Sequence, residues 1–205
     1  VLLGMLSYFF LAALLTGGMN LATDSTAGER ERGSLEPLLC LPVLRDHLIV
    51  GKILAACLFM ALSLALSLLT FYVTLKFLPL QELGMTPNFG LDVVSSAFLI
   101  LLPFTLLGAA LMTLIASFTK SYKEAQTWLT AVILAPTLPI LIVSILMVRP
   151  TMLLMFVPSL SQHLLIVDLI KNEPVNWLYV VASVSGTLAL GLVLTFLSAR
   201  LYRRE

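Results

Sequence analysis

Few residues of this 205-residue chain have the type and spacing for covalent chemistry. Gly51-Lys52 resembles the end of a phosphate loop. Such a loop reads G-x-x-x-x-G-K-[ST], because backbone N–H groups cradle the phosphates, the Lys neutralises them and the hydroxyl holds magnesium. Here Asp46 stands where the first Gly is needed and Ile53 where the hydroxyl is needed, so no ATP hydrolysis is expected on this chain. Ser185-Gly186 suggests an intramembrane serine nucleophile. However, Ser183-Val184 precedes it without the Gly of a G-x-S-G approach, and neither His47 nor His163 is placed to act as its base. His163 and Asp168 are five residues apart, and no His/Cys/Glu cluster has metal-site spacing. No metal and no cofactor bound by this chain is expected. Cys40 and Cys57 fall at different depths and read as free thiols.

The polar chemistry that remains is gathered in residues 24–52, DSTAGERERGSLEPLLCLPVLRDHLIVGK. Nine residues there are charged: Asp24, Glu29, Arg30, Glu31, Arg32, Glu36, Arg45, Asp46 and Lys52. A single charge at a bilayer centre costs roughly 2.5–3.5 kcal/mol on insertion scales, so the stretch is expected to face water. Thr26 and Glu29 have capping-box spacing, which suggests a helix starting near Thr26. Gly33 interrupts it. Ser34 can cap a second short helix with Glu36 in its first turn. Leu35, Leu38, Leu39 and Leu41 lie on that helix, and Pro42 stops it. A short leucine-bearing helix among mixed charges can dock in a partner's groove. It can equally lie flat on lipid or pack under the other helices.

The elements around this stretch are apolar. The chain is 60% hydrophobic and 11% charged, with mean hydropathy +1.04, against about 25% charged in soluble domains. A net charge of +1 gives no electrostatic footprint for nucleic acid. Five charge-free runs reach the ~20 residues that a bilayer core requires: 1–23, 53–75 (its span ending near 78, past Lys76), 93–119, 125–148 and 175–199. Their backbone must bond internally, so each is expected to be a helix, and none alternates as a barrel strand does. The fold class expected is an all-α membrane protein with five transmembrane helices. Val1–Thr23 lacks a basic n-region and a cleavage site, so it reads as a span and not a signal peptide. Opening at Val1, the chain reads as a piece of a longer protein.

Lys and Arg set the orientation. The segments 24–52 and 120–124 and the C-terminus together carry nine of them, and the opposite segments carry Lys76, Arg149 and Lys171. The nine-residue face is expected to be cytoplasmic, with the C-terminus inside. On the outer side, 76–92 reads as a turn-rich connection. Within 149–174, SLSQHLLIVDLIKNEP reads as a partly amphipathic helix at the outer interface, capped by Ser159 and limited by Pro174. Pro103, Pro136 and Pro139 fall inside spans, where proline frees a carbonyl and either bends a packed helix or opens a hinge or pathway. Gly108-Ala109-Ala110, Gly186 and Gly191 favour close helix contact. The spans hold no charge. A carried ion would need hydroxyls and carbonyls near Pro103, Pro136 or Thr137, and an apolar or amphiphilic substrate or a peptide fits at least as well.

Residues 28–39, GERERGSLEPLL, followed by Pro42-Val43 and Gly51-Lys52, resemble the first cytoplasmic loop of type-2 ABC exporter permeases. The likeness is greatest to the branch that includes the sodium-efflux NatB-like permeases. That loop reads G-E-x-E-R-G-[ST]-x-E-x-L-L-x-x-P-V, then G-K. Gly28, Glu29, Glu31, Arg32, Gly33, Ser34, Glu36, Leu38, Leu39, Pro42, Val43, Gly51 and Lys52 match it. Val157-Pro158-Ser159-Leu160-Ser161-Gln162 also resembles the family's outer segment before the last span. The resemblance implies that the chain supplies spans two to six of a six-span half and lacks the first span and outer domain. It implies that 24–52 holds a coupling helix seated on a separate ATP-binding subunit, which carries ATP and magnesium. Site residues would then be Glu29, Arg30, Glu31, Arg32, Gly33, Ser34, Leu35, Glu36, Leu38, Leu39, Pro42, Gly51 and Lys52. A second permease copy or homologous half and the lipid bilayer complete the partners, in a plasma membrane such as the bacterial inner membrane. The function implied is ATP-driven export by alternating access. The alternatives are a non-transporting assembly or sensory subunit with the same loop and an intramembrane enzyme, for which no polar catalytic pair stands at one depth.

Overall fold

The computed structural model describes residues 2–34, 37, 42, 45–77, 89–146, 151, 152 and 154–202. Helix α1 (Leu2–Thr23) continues through a π-helical turn (Asp24–Gly28) into a last turn, α2 (Glu29–Glu31). Then follow α3 (Arg45–Phe77), α4 (Leu91–Phe118), α5 (Tyr122–Leu146), a 3-10 turn (Leu154–Phe156), α6 (Leu160–Lys171) and α7 (Trp177–Tyr202). Five of these helices are long and apolar enough to cross a membrane: α1 with its continuation, α3, α4, α5 and α7. The protein is an all-α membrane protein. Helix α3 has 33 residues, or ~50 Å at 1.5 Å per residue, well over a ~30 Å hydrocarbon core. Its charged start therefore projects beyond that core.

Helix α4 is the hub. More than half of its apolar window (56%) is buried, against 22% for α5 and 17% for α7, and it packs on α1, α3, α5, α6 and α7. Missing side chains permit the approach. A Cβ on Gly108 would lie 3.0 Å from Leu15 of α1, and one on Gly191 would lie 3.1 Å from the Leu107 backbone nitrogen. On α1, Gly18 lies against Met60 of α3, where the Ser63 hydroxyl also donates to the Ala13 carbonyl at 2.8 Å. Gly186 departs from the close helix contact expected of it: a Cβ there would meet no neighbour within 4 Å.

The segment before the last span departs from the surface-lying helix expected of it. Helix α6 forms, but Ser161, Gln162, His163, Leu164, Leu165, Ile166 and Ile170 are buried among α1, α4, α5 and α7. The physical reason is that its polar side chains find polar partners inside. Ser183 donates to Ser161 at 2.8 Å, Gln162 donates to Thr187 at 3.1 Å, and His163 lies between Ser7 at 2.5 Å and Ser144 at 3.3 Å. The Ser144 hydroxyl already donates to the Ile140 carbonyl. The His163 Nε2–H therefore donates to Ser144, and Nδ1 accepts from Ser7, which is the neutral tautomer. At the start of α6 the Ser159 N–H donates to Gln162 Oε1 at 3.2 Å, as half of a capping box. At its end Asn172 is left-handed (φ 59°). The Asn172 and Glu173 N–H groups close on the Leu169 and Asp168 carbonyls, two residues short of Pro174.

Two outcomes follow from this packing. Gly191→Ala should lower stability by about 1–3 kcal/mol, because backbone cannot yield to the new methyl, while Gly186→Ala should leave the unfolding midpoint in detergent unmoved. Equal effects at both sites would contradict the close α4–α7 approach. Burial, aided by the Lys171 charge, lowers the His163 pKa to about 4. A histidine so lowered stabilises the fold fully above its unfolded value of about 6.5, and that contribution is lost as pH falls toward the folded value. The thermal midpoint should therefore fall on acidification through that window, and fall less steeply in His163→Gln.

Candidate functional site

The charged end of the bundle is built by the continuation of α1. One hydrogen-bonded turn in the α pattern would end near Thr23, but the chain takes a π turn and goes on. Thr26 is therefore not a cap. Its hydroxyl donates backward to the Ala22 carbonyl at 2.5 Å, and Gly28 carries the helix straight through into Glu29. The helix ends where Gly33 enters the left-handed region (φ 68°). There the Gly33 N–H closes on the Arg30 carbonyl at 3.1 Å and the Ser34 N–H on the Glu29 carbonyl at 3.0 Å. This Schellman arrangement is favoured by glycine because it lacks a Cβ.

The three residues of α2 each reach a different neighbour. Glu29 pairs with Lys52 of α3, with the side chains only 25% and 10% exposed. Arg30 donates from Nη1 to the Ser117 carbonyl at 2.6 Å and to the Thr119 carbonyl at 3.1 Å. Glu31 accepts the Tyr122 N–H at 2.6 Å. A cation thus meets the carbonyl end of α4 and an anion meets the amide end of α5, the signs that helix dipoles favour. These contacts put 24–52 and 120–124 at one end of the bundle, as the Lys and Arg distribution requires.

The remaining residues of the motif divide. Arg32 is exposed and pairs with Asp24 at 2.5 Å, and Gly33, Ser34, Pro37, Pro42 and Gly51 are exposed too. Leu35, Glu36, Leu38 and Leu39, expected on the short second helix with Leu41, lie outside the described residues. Residues 78–88 and 147–150 lie outside them also. Among the span residues, Pro136 and Pro139 line a cleft of about 340 Å³ with Leu15, Phe104, Gly108 and Ser159. Pro103 and Thr137 are buried in α4 and α5. The Thr137 hydroxyl bonds the Ile133 carbonyl at 2.8 Å, so it is turned to its own helix.

Ser117, Thr119 and Tyr122 were not marked as site residues by the sequence. They contribute backbone atoms, which any side chain would carry, so no residue type announces them. The half-buried Glu29–Lys52 pair yields a direct test. Lys52→Glu should cost roughly 1–3 kcal/mol, between exposed and buried pairs, and Glu29→Lys in the same chain should restore part of the lost unfolding midpoint. A double variant no more stable than the single one would show that the two charges do not sense each other.

A family model for ABC-2 family transporter proteins matches residues 2–196. The ABC transporter permease protein NatB of Bacillus subtilis (strain 168) is 30% identical over 206 residues, covering 98% of this chain and 52% of that protein. The chain therefore spans about half the length of the curated relative it matches. The matched region takes in the braced charged end and all five apolar helices. With that match across nearly the whole chain, the protein belongs to the ABC-2 transporter family and is a multi-pass membrane permease of the type-2 class.

Proposed function

We propose that this chain forms spans two to six of a permease half in an ATP-driven exporter, with residues 34–42 docking a separate ATP-binding subunit. The observation that carries the reading is the charged end. There α2 is fastened to three neighbours, and the chain leaves it at Gly33-Ser34 with exposed Arg32, Ser34, Pro37 and Pro42. A docking element needs a fixed root and an accessible tip, and this arrangement supports both. The Lys and Arg bias supports a cytoplasmic position for that end, where ATP is available. The partner's ATP and magnesium would supply the energy, and a second permease copy or half would complete the pathway. The apolar lining of the cleft at Pro136 and Pro139 fits substrate passage along α5 better than charged-group chemistry. The Ser185 nucleophile reading finds no support: its hydroxyl donates to the Val181 carbonyl at 2.6 Å on an exposed face.

The test is made on the full-length permease co-purified with the ATP-binding subunit encoded beside it. Single cysteines at positions 34–42 should cross-link to that subunit, with a yield that changes on adding ATP. Leu38→Asp together with Leu39→Asp should weaken the subunit's binding by at least about 2 kcal/mol, roughly 30-fold, as loss of a central apolar anchor does. Unchanged affinity with no cross-link would sink the docking assignment.

A further inference from the structure

Glu29, Arg30 and Glu31 stand in the motif that the docking reading uses, yet each side chain is engaged by a neighbouring helix of the bundle. The turn that precedes them decides this. A π turn places one extra residue in the helix, which rotates everything beyond it by ~100° about the axis, since each residue of an α-helix advances by that angle. In this register Arg30 meets the last carbonyls of α4 and Glu31 meets the first amide of α5. The bulge is held by named groups. Thr26 supplies a hydroxyl to the Ala22 carbonyl. At Gly28 a Cβ would come within 3.0 Å of Arg32 Nη2 and 3.1 Å of Asp24 Oδ1, so the absent side chain leaves room for the Arg32–Asp24 pair.

The geometry points to a latch: Arg30 and Glu31 are positioning residues that tie the α4–α5 turn to the root of the docking segment. The inference rests on the docking reading above. From Glu29 to Ser34 the connection is closed by the two backbone bonds at Gly33 and Ser34 and by the Ser34 hydroxyl on the Glu29 carbonyl at 3.2 Å. A displacement of the segment beyond Ser34 therefore reaches α2 with little slack. From α2 it passes along Arg30 to the end of α4 and along Glu31 to the start of α5. Helix α4 is the most buried of the spans and packs on five other helices, so it resists. Helix α5 is mostly unburied, so it is the element free to follow. Glu29 and Lys52 keep α2 seated on α3 meanwhile. Docking and transmission are then divided between neighbouring residues of one motif: those beyond Gly33 meet the partner, and those bonded to α4 and α5 pass the motion on.

The test again uses the full-length permease with its ATP-binding subunit, in lipid nanodiscs. Arg30→Ala and Glu31→Ala are compared with the conservative Glu31→Gln, which keeps the accepting oxygen. Spin labels at the exposed positions Phe59 of α3 and Thr130 of α5 report whether ATP changes the distance between these helices. The latch predicts that both alanine variants bind the ATP-binding subunit within about twofold of the parent. It predicts that they lose most of the ATP-driven distance change and at least tenfold of the permease-stimulated ATPase rate, and that Glu31→Gln retains both. Glu31 is exposed, so its alanine variant carries the test should Arg30→Ala fail to fold. Binding weakened tenfold or more in Glu31→Ala would make it a docking contact and overturn the latch. So would an ATP response equal to the parent's. Failure of the docking reading looks different: there the Leu38→Asp, Leu39→Asp variant binds as the parent does, whatever Arg30 and Glu31 do.

Discussion

One constraint governs most of this bundle: a polar group out of reach of water is paired within the chain or costs several kcal/mol, and among the described residues the buried side-chain hydroxyls of Ser25 and Thr113 are the exceptions. The helices satisfy it locally. Hydroxyls of Thr23, Ser67, Thr70, Thr127, Thr130, Thr187, Thr195 and Ser198 each bond a carbonyl one turn back. So many serines and threonines can therefore sit in spans without marking a site. Pairing across helices is what shapes the fold. Among the described residues it is concentrated at two places, the charged end around α2 and the buried helix α6, with single bonds such as Ser63 to the Ala13 carbonyl between them.

These two places solve the problem with different chemistry. At the charged end, partial water access lets full charges persist, and they are spent on helix termini and on Lys52. Around α6 neutral groups do the pairing: two serines, a glutamine with a threonine, and a histidine that burial keeps uncharged. A charged residue in the place of His163 would have to be desolvated without a counter-ion there. The neutral set costs little and still fixes the direction of α6, because its hydrogen bonds join it to three different helices. Ser7 belongs to α1, Ser144 to α5, and Ser183 and Thr187 to α7.

Length and absence of charge made the five spans legible, since no other element buries twenty apolar residues in a row. Their ends were less so. Charge density alone put the loop boundary at Asp24, but a helix that reaches water can carry charges onward, and α1 does so for two more turns. Thr26 and Glu29 have the spacing of a cap and instead lie within the continuing helix, where the Thr26 hydroxyl donates back to the Ala22 carbonyl. The outer segment failed for a related reason. Its mixed polarity reads as a helix with one wet face, and period alone cannot reveal that the polar face meets other helices' hydroxyls. Gly33, by contrast, was readable as an interruption, because a left-handed residue closing a helix is nearly a property of glycine itself. The resemblance carried by Gly28–Leu39 added what periodicity could not, the family; it did not say which of those residues face inward.

Helix α5 gathers these threads. Near its start the Tyr122 amide is held by Glu31, and near its end Ser144 meets His163. Between them stand Pro136 and Pro139, whose nitrogens carry no hydrogen, so the carbonyls of Val132 and Ala135 lose their ladder bonds. Val132, Ala135 and both prolines line the same cleft, and the Ser159 hydroxyl reaches the Pro136 carbonyl there at 3.5 Å. Two missing ladder bonds soften the middle of a helix, while polar contacts pin its two ends to different neighbours. Bending is then cheaper at 132–139 than sliding of the whole helix, which would break the contacts at Tyr122 and Ser144 together. Whatever moves the braced end is consequently felt first at the proline segment and at the cleft it lines.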